Sequence, residues 1–257
     1  MEKYIFKRGI TRRKSRGGHK KNIAVLFSGR IKGYEACKRH LLELKHKYSP
    51  VFFCSLNKKL LSPYIRKFCK IFNIDTGEQN SKNKRLNLEP TVLPEWIDEL
   101  DTHPYNQTMN VYSVLLHNKR AFDMVTEYQN RNNMRFDIIL LYRADIKSNN
   151  MILLKDVKPN TVYIPEGDES IIHPEEWHRK YGINSVMSYG DYSSMQKYCE
   201  AVDNIQNLHE KVNVGVHHEG LILQNIIDKN LKISRFPYEY YFEESRHKPN
   251  KEYNMYD

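Results

Sequence analysis

The chain is poor in cysteine, in glycine and in long apolar runs. Its 257 residues hold 4 cysteines and 11 glycines. The cysteines are widely spaced and form no CxxC pair, which argues against a zinc or dithiol site and favours reduced, buried thiols. The longest apolar stretches, such as residues 138–142, are too short to span a bilayer. No apolar segment follows the basic N-terminus, so we find no secretory signal or transmembrane segment and expect a cytoplasmic protein.

Positive charge is concentrated at one end of the chain, which carries a net charge of +10. Residues 1–21 hold nine Lys and Arg against Glu2, a net charge of +8 that leaves +2 for the remainder. We therefore expect a basic flexible tail, residues 1–21, followed by one folded domain, residues 22–257. Such a tail is either a solvated extension or a segment that contacts nucleic acid or an anionic membrane. The near-neutral body, by contrast, has no aromatic-basic RNA-binding motif.

Apolar patterns in the first half predict an α/β fold. A continuous apolar run at 23–27 is typical of a strand buried on both faces, and a helix with apolar residues at steps of three and four follows it. A second run at 51–54 and a helix opened by Ser62-Pro63 repeat the pattern. This β-α-β-α order indicates a mostly parallel sheet with helices on both faces. Residues 75–105 are polar and predict a long loop.

The second half is predicted to be more mixed. A helix at about 110–131 has Asn118 among the apolar residues of its inner face and leads into the most strongly apolar strand, at 138–142. Shorter elements follow, with strands predicted at 161–164, 185–189 and 231–236 and helices near 193–209 and 219–229. We therefore expect a single domain with a parallel central sheet and a mixed C-terminal part.

Two strand ends carry residues suited to a phosphorylated ligand. In open α/β sheets, ligands collect at the carboxyl ends of strands. The first strand ends in Ser28-Gly29-Arg30, where the glycine allows close approach and the arginine can pair with phosphate through a fork of donors. The central strand ends in Arg143-Ala144-Asp145, where the aspartate suits a hard divalent cation or simply caps the turn. Such an ion, Mg²⁺ or Mn²⁺, would neutralise charge on a leaving diphosphate.

Five segments carry a family resemblance. They read FSGRIKGYE, DIILLYRADI, VYIPEGDE, YGINSVMSYGDYSSMQKY and HHEGLILQNII, and they begin at residues 27, 137, 162, 181 and 217. Together they resemble the GT-A glycosyltransferases, in particular the lipopolysaccharide-type and large-DNA-virus sugar transferases, over most of residues 22–240. The resemblance implies a GT-A-like domain that moves a hexosyl or pentosyl group from a nucleoside-diphosphate sugar to a glycan or glycoprotein acceptor.

The resemblance also implies a metal site at the end of the central strand. GT-A enzymes commonly carry a DxD motif whose last aspartate holds the metal that bridges the nucleotide diphosphate. Only Asp145 of the matching triplet fits, since Arg143 replaces the first acid. Arg143 can itself neutralise phosphate. The missing acid leaves open a third hypothesis, a catalytically inactive scaffold of the same fold.

Further roles follow from the same likeness. Glu219 resembles the acid that takes the acceptor's proton in inverting members, with Asp168 and Glu166 as rivals. Glu219 equally suits the first turn of a helix, where it complements the helix dipole. His218 matches a late histidine that completes the metal shell in several members, or it is a structural histidine. Lys119 matches a nucleotide contact, or it is a solvated lysine.

Overall fold

The fold is seen in a computed structural model that describes residues 21–29, 31, 34–78, 83–100, 108–148, 150–166, 183–212 and 216–242. Its strands are β1 (Ile23–Ser28), β2 (Val51–Ser55), β3 (Leu86–Asn87), β4 (Ile138–Tyr142), β5 (Ile146–Lys147), β6 (Thr161–Pro165), β7 (Met187–Gly190), β8 (Lys232–Phe236) and β9 (Tyr241–Phe242). Its α-helices are α1 (Tyr34–Tyr48), α2 (Pro63–Phe72), α3 (Thr108–Asn132), α4 (Tyr192–Cys199), α5 (Ile205–Val212) and α6 (His218–Asp228). Two 3₁₀ helices lie at Glu95–Glu99 and Glu200–Asn204. Within the described ranges, no helix is long and apolar enough to cross a membrane.

Local sequence signals start and stop α2. The Oγ atom of Ser62 accepts a hydrogen bond from the backbone N–H of Ile65 at 3.3 Å, and Pro63 occupies the first helical turn. A serine cap satisfies an N–H group that the helix start leaves unpaired, and proline has no N–H to lose there. The helix ends at Asn73, whose φ of 53° is the left-handed conformation that commonly terminates helices.

Seven strands form one sheet in the order β3-β2-β1-β4-β7-β6-β8. Six of them run parallel, while β7 is antiparallel to both of its neighbours, β4 and β6. Because β7 runs the other way, its amino end lies at the edge of the sheet where the other six strands end. We call this edge the carboxyl edge. The predicted α/β class with a mostly parallel sheet is confirmed.

Helices cover both faces of this sheet. Alternate residues of β1 divide between two buried clusters, in which Val25 and Phe27 pack with α1 and α2 while Ala24 and Leu26 pack with α3 and α4. All four side chains are fully buried. A strand covered on both faces needs apolar residues at every position, which explains the unbroken apolar run in the sequence.

Several details differ from the predicted elements. The polar stretch 75–105 contains β3 and the first 3₁₀ helix, so it is not wholly a loop. The helix predicted near 193–209 is two helices, α4 and α5, with the second 3₁₀ helix between them. The strand predicted from residue 185 begins at Met187, which leaves Ser185 in the segment that precedes it. Residues 1–20 of the predicted tail lie outside the described residues, and Lys21 forms an ion pair with Asp156.

Candidate functional site

The carboxyl edge brings polar residues from adjacent strands into one row. The β1–β2 register sets Ser28 beside Ser55, and the β2–β3 register sets Ser55 beside Asn87. On its other side, β1 pairs with β4 in a register that brings Arg143, the residue after β4, to the level of Ser28. Neighbouring strands lie about 4.8 Å apart, so one ligand can contact several of these strand ends at once.

Arg143 and Asp145 form a two-point ion pair at the end of β4. The Nε atom of Arg143 donates to one carboxylate oxygen of Asp145 at 3.0 Å, and the Nη2 atom donates to the other at 2.8 Å. The backbone N–H of Arg143 donates to the carbonyl oxygen of Val186 at 3.0 Å, which ties the pair to the segment before β7. The arginine side chain remains 43% exposed and the aspartate 27%. A forked arginine–carboxylate pair of this kind fixes the plane of the guanidinium group.

Glu219 lies in the first turn of α6, where three side chains contact its carboxylate. The hydroxyl of Ser185 donates to Oε1 at 3.0 Å. His217 approaches Oε2 to 3.5 Å, and His218 approaches Oε1 to 3.7 Å. Burial disfavours the charged carboxylate, but the contact with His218, followed by that with His217, outweighs this cost and lowers the pKa of Glu219 to about 2. Glu219 is therefore ionised throughout the neutral range.

The electrostatics of Arg143 connect these two groups. Burial alone would lower its pKa, but the hydrogen bonds and charge of Asp145, and then the charge of Glu219, raise the pKa of Arg143 above its ordinary value. Ser185, which donates to Glu219, is followed by Val186, whose carbonyl oxygen accepts the backbone N–H of Arg143. The end of β4 and the start of α6 are therefore linked through residues 185–186, although Arg143 and Glu219 lie 76 positions apart in the chain.

Asn184 is a buried residue next to Ser185 that the sequence patterns did not identify. Its side-chain nitrogen donates to the hydroxyl of Tyr240 at 2.8 Å, and its side-chain oxygen accepts the backbone N–H of Val186 at 3.1 Å. Only 1% of Asn184 is exposed. These hydrogen bonds tie the segment before β7 to Tyr240, so Asn184 helps to position Ser185 opposite Glu219.

A second polar group lies under the β1 and β2 end of the same edge. His117 is fully buried, and its Nδ1 atom lies 2.8 Å from the hydroxyl of Ser55. Its Nε2 atom lies 3.3 Å from the hydroxyl of Thr91. Burial, with a smaller contribution from the charge of Arg120, lowers the pKa of His117 to about 4, so the ring is neutral. Beside it, Asn118 accepts a hydrogen bond from the hydroxyl of Ser28.

The other predicted site residues are distributed as follows. Gly29 has a φ of +75°, a conformation that side chains rarely adopt, and its N–H donates to the carbonyl oxygen of Ser55 at 3.1 Å. The ammonium group of Lys119 lies 3.6 Å from carboxylates of both Asp123 and Asp203. The nucleotide contact predicted for Lys119 stays a prediction, and it would compete with these two ion pairs. Arg30 and Asp168 lie outside the described residues.

A divalent ion finds no complete set of ligands here. Among the residues that the structure describes, no three His, Cys, Asp or Glu side chains are grouped so that they could hold a metal. Both oxygens of Asp145 are engaged by Arg143, and His218 faces Glu219. Mg²⁺ and Mn²⁺ need oxygen ligands that are free to coordinate. The described residues therefore do not fit the ion, and metal binding by Asp145 and His218 stays a prediction.

Comparisons with known proteins show a distant structural likeness. No protein-family model matches the chain, and no curated protein matches it. Among solved structures, the galactosyltransferase LgtC in complex with donor and acceptor sugar analogues is similar, with a TM-score of 0.45 and 10% sequence identity. The likeness covers 83% of this chain and 72% of that chain. A similarity at this level identifies neither a family nor an activity, so the function has to be argued from the residues of the site.

Proposed function

We propose that this protein is a glycosyltransferase that moves a sugar from a nucleoside-diphosphate sugar to a hydroxyl group of a glycan or glycoprotein acceptor. One observation carries the proposal. Separate segments that resemble GT-A motifs, with Ser28, the Arg143–Asp145 pair, Ser185 and Glu219, all meet at the carboxyl edge of one α/β sheet. That edge is where open α/β sheets bind their ligands.

The charges at this edge suit the two substrates. A nucleoside diphosphate is an anion, and Arg143 offers it a permanent cation on an exposed side chain. Glu219 offers an acceptor hydroxyl a carboxylate that can receive its hydrogen bond. The donor diphosphate is therefore assigned to the end of β4, with Ser28 and Gly29 at the end of β1 alongside, and the acceptor to the start of α6.

In the proposed inverting reaction, the bond between the anomeric carbon and the diphosphate oxygen breaks, and the electron pair leaves with the diphosphate. The acceptor oxygen forms the new bond to that carbon, and its proton passes to Glu219. A pKa of about 2 makes Glu219 a weak proton acceptor in the contacts described above. Displacement of His218 by the acceptor would raise that pKa, because the contact with His218 contributes most to lowering it.

A thermal-shift screen with UDP, GDP, CDP and dTDP tests the donor side of the proposal. A ligand that binds only the folded protein raises the melting temperature by mass action. We expect one nucleoside diphosphate to raise it, and the Glu219→Gln variant to bind that nucleotide equally well while it transfers no sugar. If Glu219→Gln transferred sugar as fast as the wild type, Glu219 would not be the base, and Asp168 would become the candidate for that role.

Failure of every nucleotide at millimolar concentration would overturn the enzyme proposal. The alternative hypothesis of binding through the basic tail would then be tested with RNA and with anionic vesicles. Electrostatic binding of that kind weakens steeply with salt and should disappear when residues 1–21 are deleted. Cytoplasmic location remains part of the proposal and rests on the sequence alone.

A further inference from the structure

We propose that Arg143, held in place by Asp145, is the cation of the diphosphate site, so that the protein binds a nucleoside diphosphate without a divalent metal. This inference rests on the proposed function, because it assigns the charge partner of that donor substrate. It departs from the metal-dependent arrangement that the sequence resemblance implies.

Both carboxylate oxygens of Asp145 face a cation of the protein itself. A carboxylate that serves a hard cation must present free oxygen lone pairs to it. Here each oxygen of Asp145 accepts an N–H group of Arg143, at 3.0 and 2.8 Å. An entering ion would compete with the guanidinium group for this carboxylate and would lie beside its positive charge. Asp145 is therefore a positioning residue, whose partner is already a cation.

The second carboxylate of the site is engaged as well. One oxygen of Glu219 accepts the hydroxyl of Ser185 at 3.0 Å, and histidines lie within 3.7 Å of both oxygens. Over the described parts of the chain, no grouping of three metal-ligating side chains exists.

Arg143 has the properties that an ion would otherwise supply. Its charge is permanent, because a guanidinium group keeps its proton throughout the neutral range. Its side chain is 43% exposed, so a ligand can reach it. Asp145 takes two of the five N–H groups in the guanidinium fork and fixes its orientation, which reduces the conformational entropy lost when phosphate binds. The register of β1 and β4 sets the backbone of Arg143 at the level of Ser28, so that one ligand can contact both strand ends.

Calorimetric titration of the full chain with the nucleoside diphosphate from the screen tests the inference, in EDTA and in Mn²⁺. We expect the dissociation constants in the two buffers to agree within about threefold. Arg143→Gln should weaken binding by about tenfold or more in both buffers, which corresponds to about 1.4 kcal/mol or more. Arg143→Lys should recover part of the loss, because it keeps the charge but not the fork.

Two further variants separate positioning from metal binding. Asp145→Asn keeps the shape of the side chain, and we expect weaker binding that remains insensitive to EDTA. Arg131→Ala is the matched control, since Arg131 forms a similar surface pair with Glu127 on α3 at 2.6 Å. It should bind as the wild type does. Circular dichroism of each variant confirms that it is folded.

The outcomes are distinct. Binding that requires Mn²⁺ and is lost in Asp145→Asn would overturn the inference and restore Asp145 as a metal ligand, while the proposed function would stand. An Arg143→Gln variant with unchanged affinity would overturn it as well. Absence of binding by all four nucleotides in either buffer would instead overturn the proposed function itself.

Discussion

The Nε2 atom of His217 lies 3.5 Å from the Oε2 atom of Glu219, across the first turn of α6. The other ring nitrogen of this histidine accepts the backbone N–H of Gly220 at 3.2 Å and so caps the helix. A nitrogen that accepts cannot carry the proton, so the proton resides on Nε2 and faces the carboxylate. The capping geometry of α6 therefore also aims an N–H group of His217 at the carboxylate of Glu219.

Glu219 is expected to stabilise the fold at neutral pH and to lose that effect in acid. Its pKa of about 2 in the folded protein lies below the ordinary value of 4.5. The stabilisation is therefore complete above pH 4.5 and is lost as the pH falls towards the pKa of the folded protein. At 1.36 kcal/mol per pKa unit, the contribution should shrink by about 2 kcal/mol between pH 6 and pH 3. Urea unfolding of the wild type and Glu219→Gln at both values measures it as the difference between the two proteins.

Glu210→Gln provides the control, because Glu210 is an exposed glutamate on the neighbouring helix α5. This variant should lose stability in acid as the wild type does. Equal pH dependence in the wild type and Glu219→Gln would contradict the assigned environment of Glu219.

Two buried neutral histidines should make the protein sensitive to mild acid. His40, 3% exposed, contacts the hydroxyl of Tyr142, and burial lowers its pKa to about 4, as it does for His117. The unfolded chain takes up protons below about pH 6.5 while the folded chain resists them, so stability falls from that pH towards pH 4. We expect each histidine to contribute a loss of about 2 kcal/mol between pH 7 and pH 5.

Replacement of His40 tests this origin of the acid sensitivity. His40→Asn should reduce the loss between pH 7 and pH 5, whatever its effect on stability at pH 7. His46→Asn, at an exposed position of the same helix, should leave the pH profile unchanged. A His40→Asn profile as steep as that of the wild type would show that other groups cause the acid sensitivity.

The sequence predicted the centre of the sheet better than its margin. The apolar runs of β1 and β4 are unbroken because both faces of these strands are buried, so the signal is strong and local. β3 has only two residues, and two residues have no period. It is held by long-range backbone bonds, from Cys54 to the carbonyl of Arg85 and from Leu56 to that of Asn87, each 2.9 Å long. Such pairing leaves no pattern in the neighbouring sequence.

The same limit applies to the candidate site. The positions of Ser28, Arg143 and Asp145 at strand ends were predictable, because a strand end is a local feature. The contact of Ser185 with Glu219 joins residues 34 positions apart, and that of Ser55 with His117 joins residues 62 apart. One usable signal was a polar side chain, Asn118, on an otherwise apolar helix face, since a buried amide needs a partner.

A methyl group at Gly190 should destabilise the sheet. A Cβ atom there would lie 2.9 Å from the carbonyl oxygen of Thr161, which belongs to the neighbouring strand β6. Backbone cannot yield as the end of a flexible side chain can, so we expect Gly190→Ala to cost about 1–3 kcal/mol. Chemical denaturation measures the change. Ser193→Ala, at an exposed position of α4, is the control and should stay within about 0.5 kcal/mol of the wild type.

The four cysteines should be unreactive in the native protein. All of them are free and buried, and burial raises the pKa of Cys54, Cys69 and Cys199. The thiolate is the reactive species, so both access and ionisation are suppressed. Titration with a thiol reagent at pH 8 should therefore give a slow reaction in native buffer and four rapid equivalents in guanidinium chloride. Prompt labelling of a native thiol would contradict the burial of that residue.

The join between β4 and β7 has a consequence for how the chain assembles during synthesis. β1 to β4 pair within the first part of the chain, so these strands can associate while the later segments are still being made. Until β7 emerges, β4 exposes an unpaired edge of apolar strand, which another nascent chain can pair with. The exposed edge of β4 is thus a site for aggregation until Met187–Gly190 pairs with it.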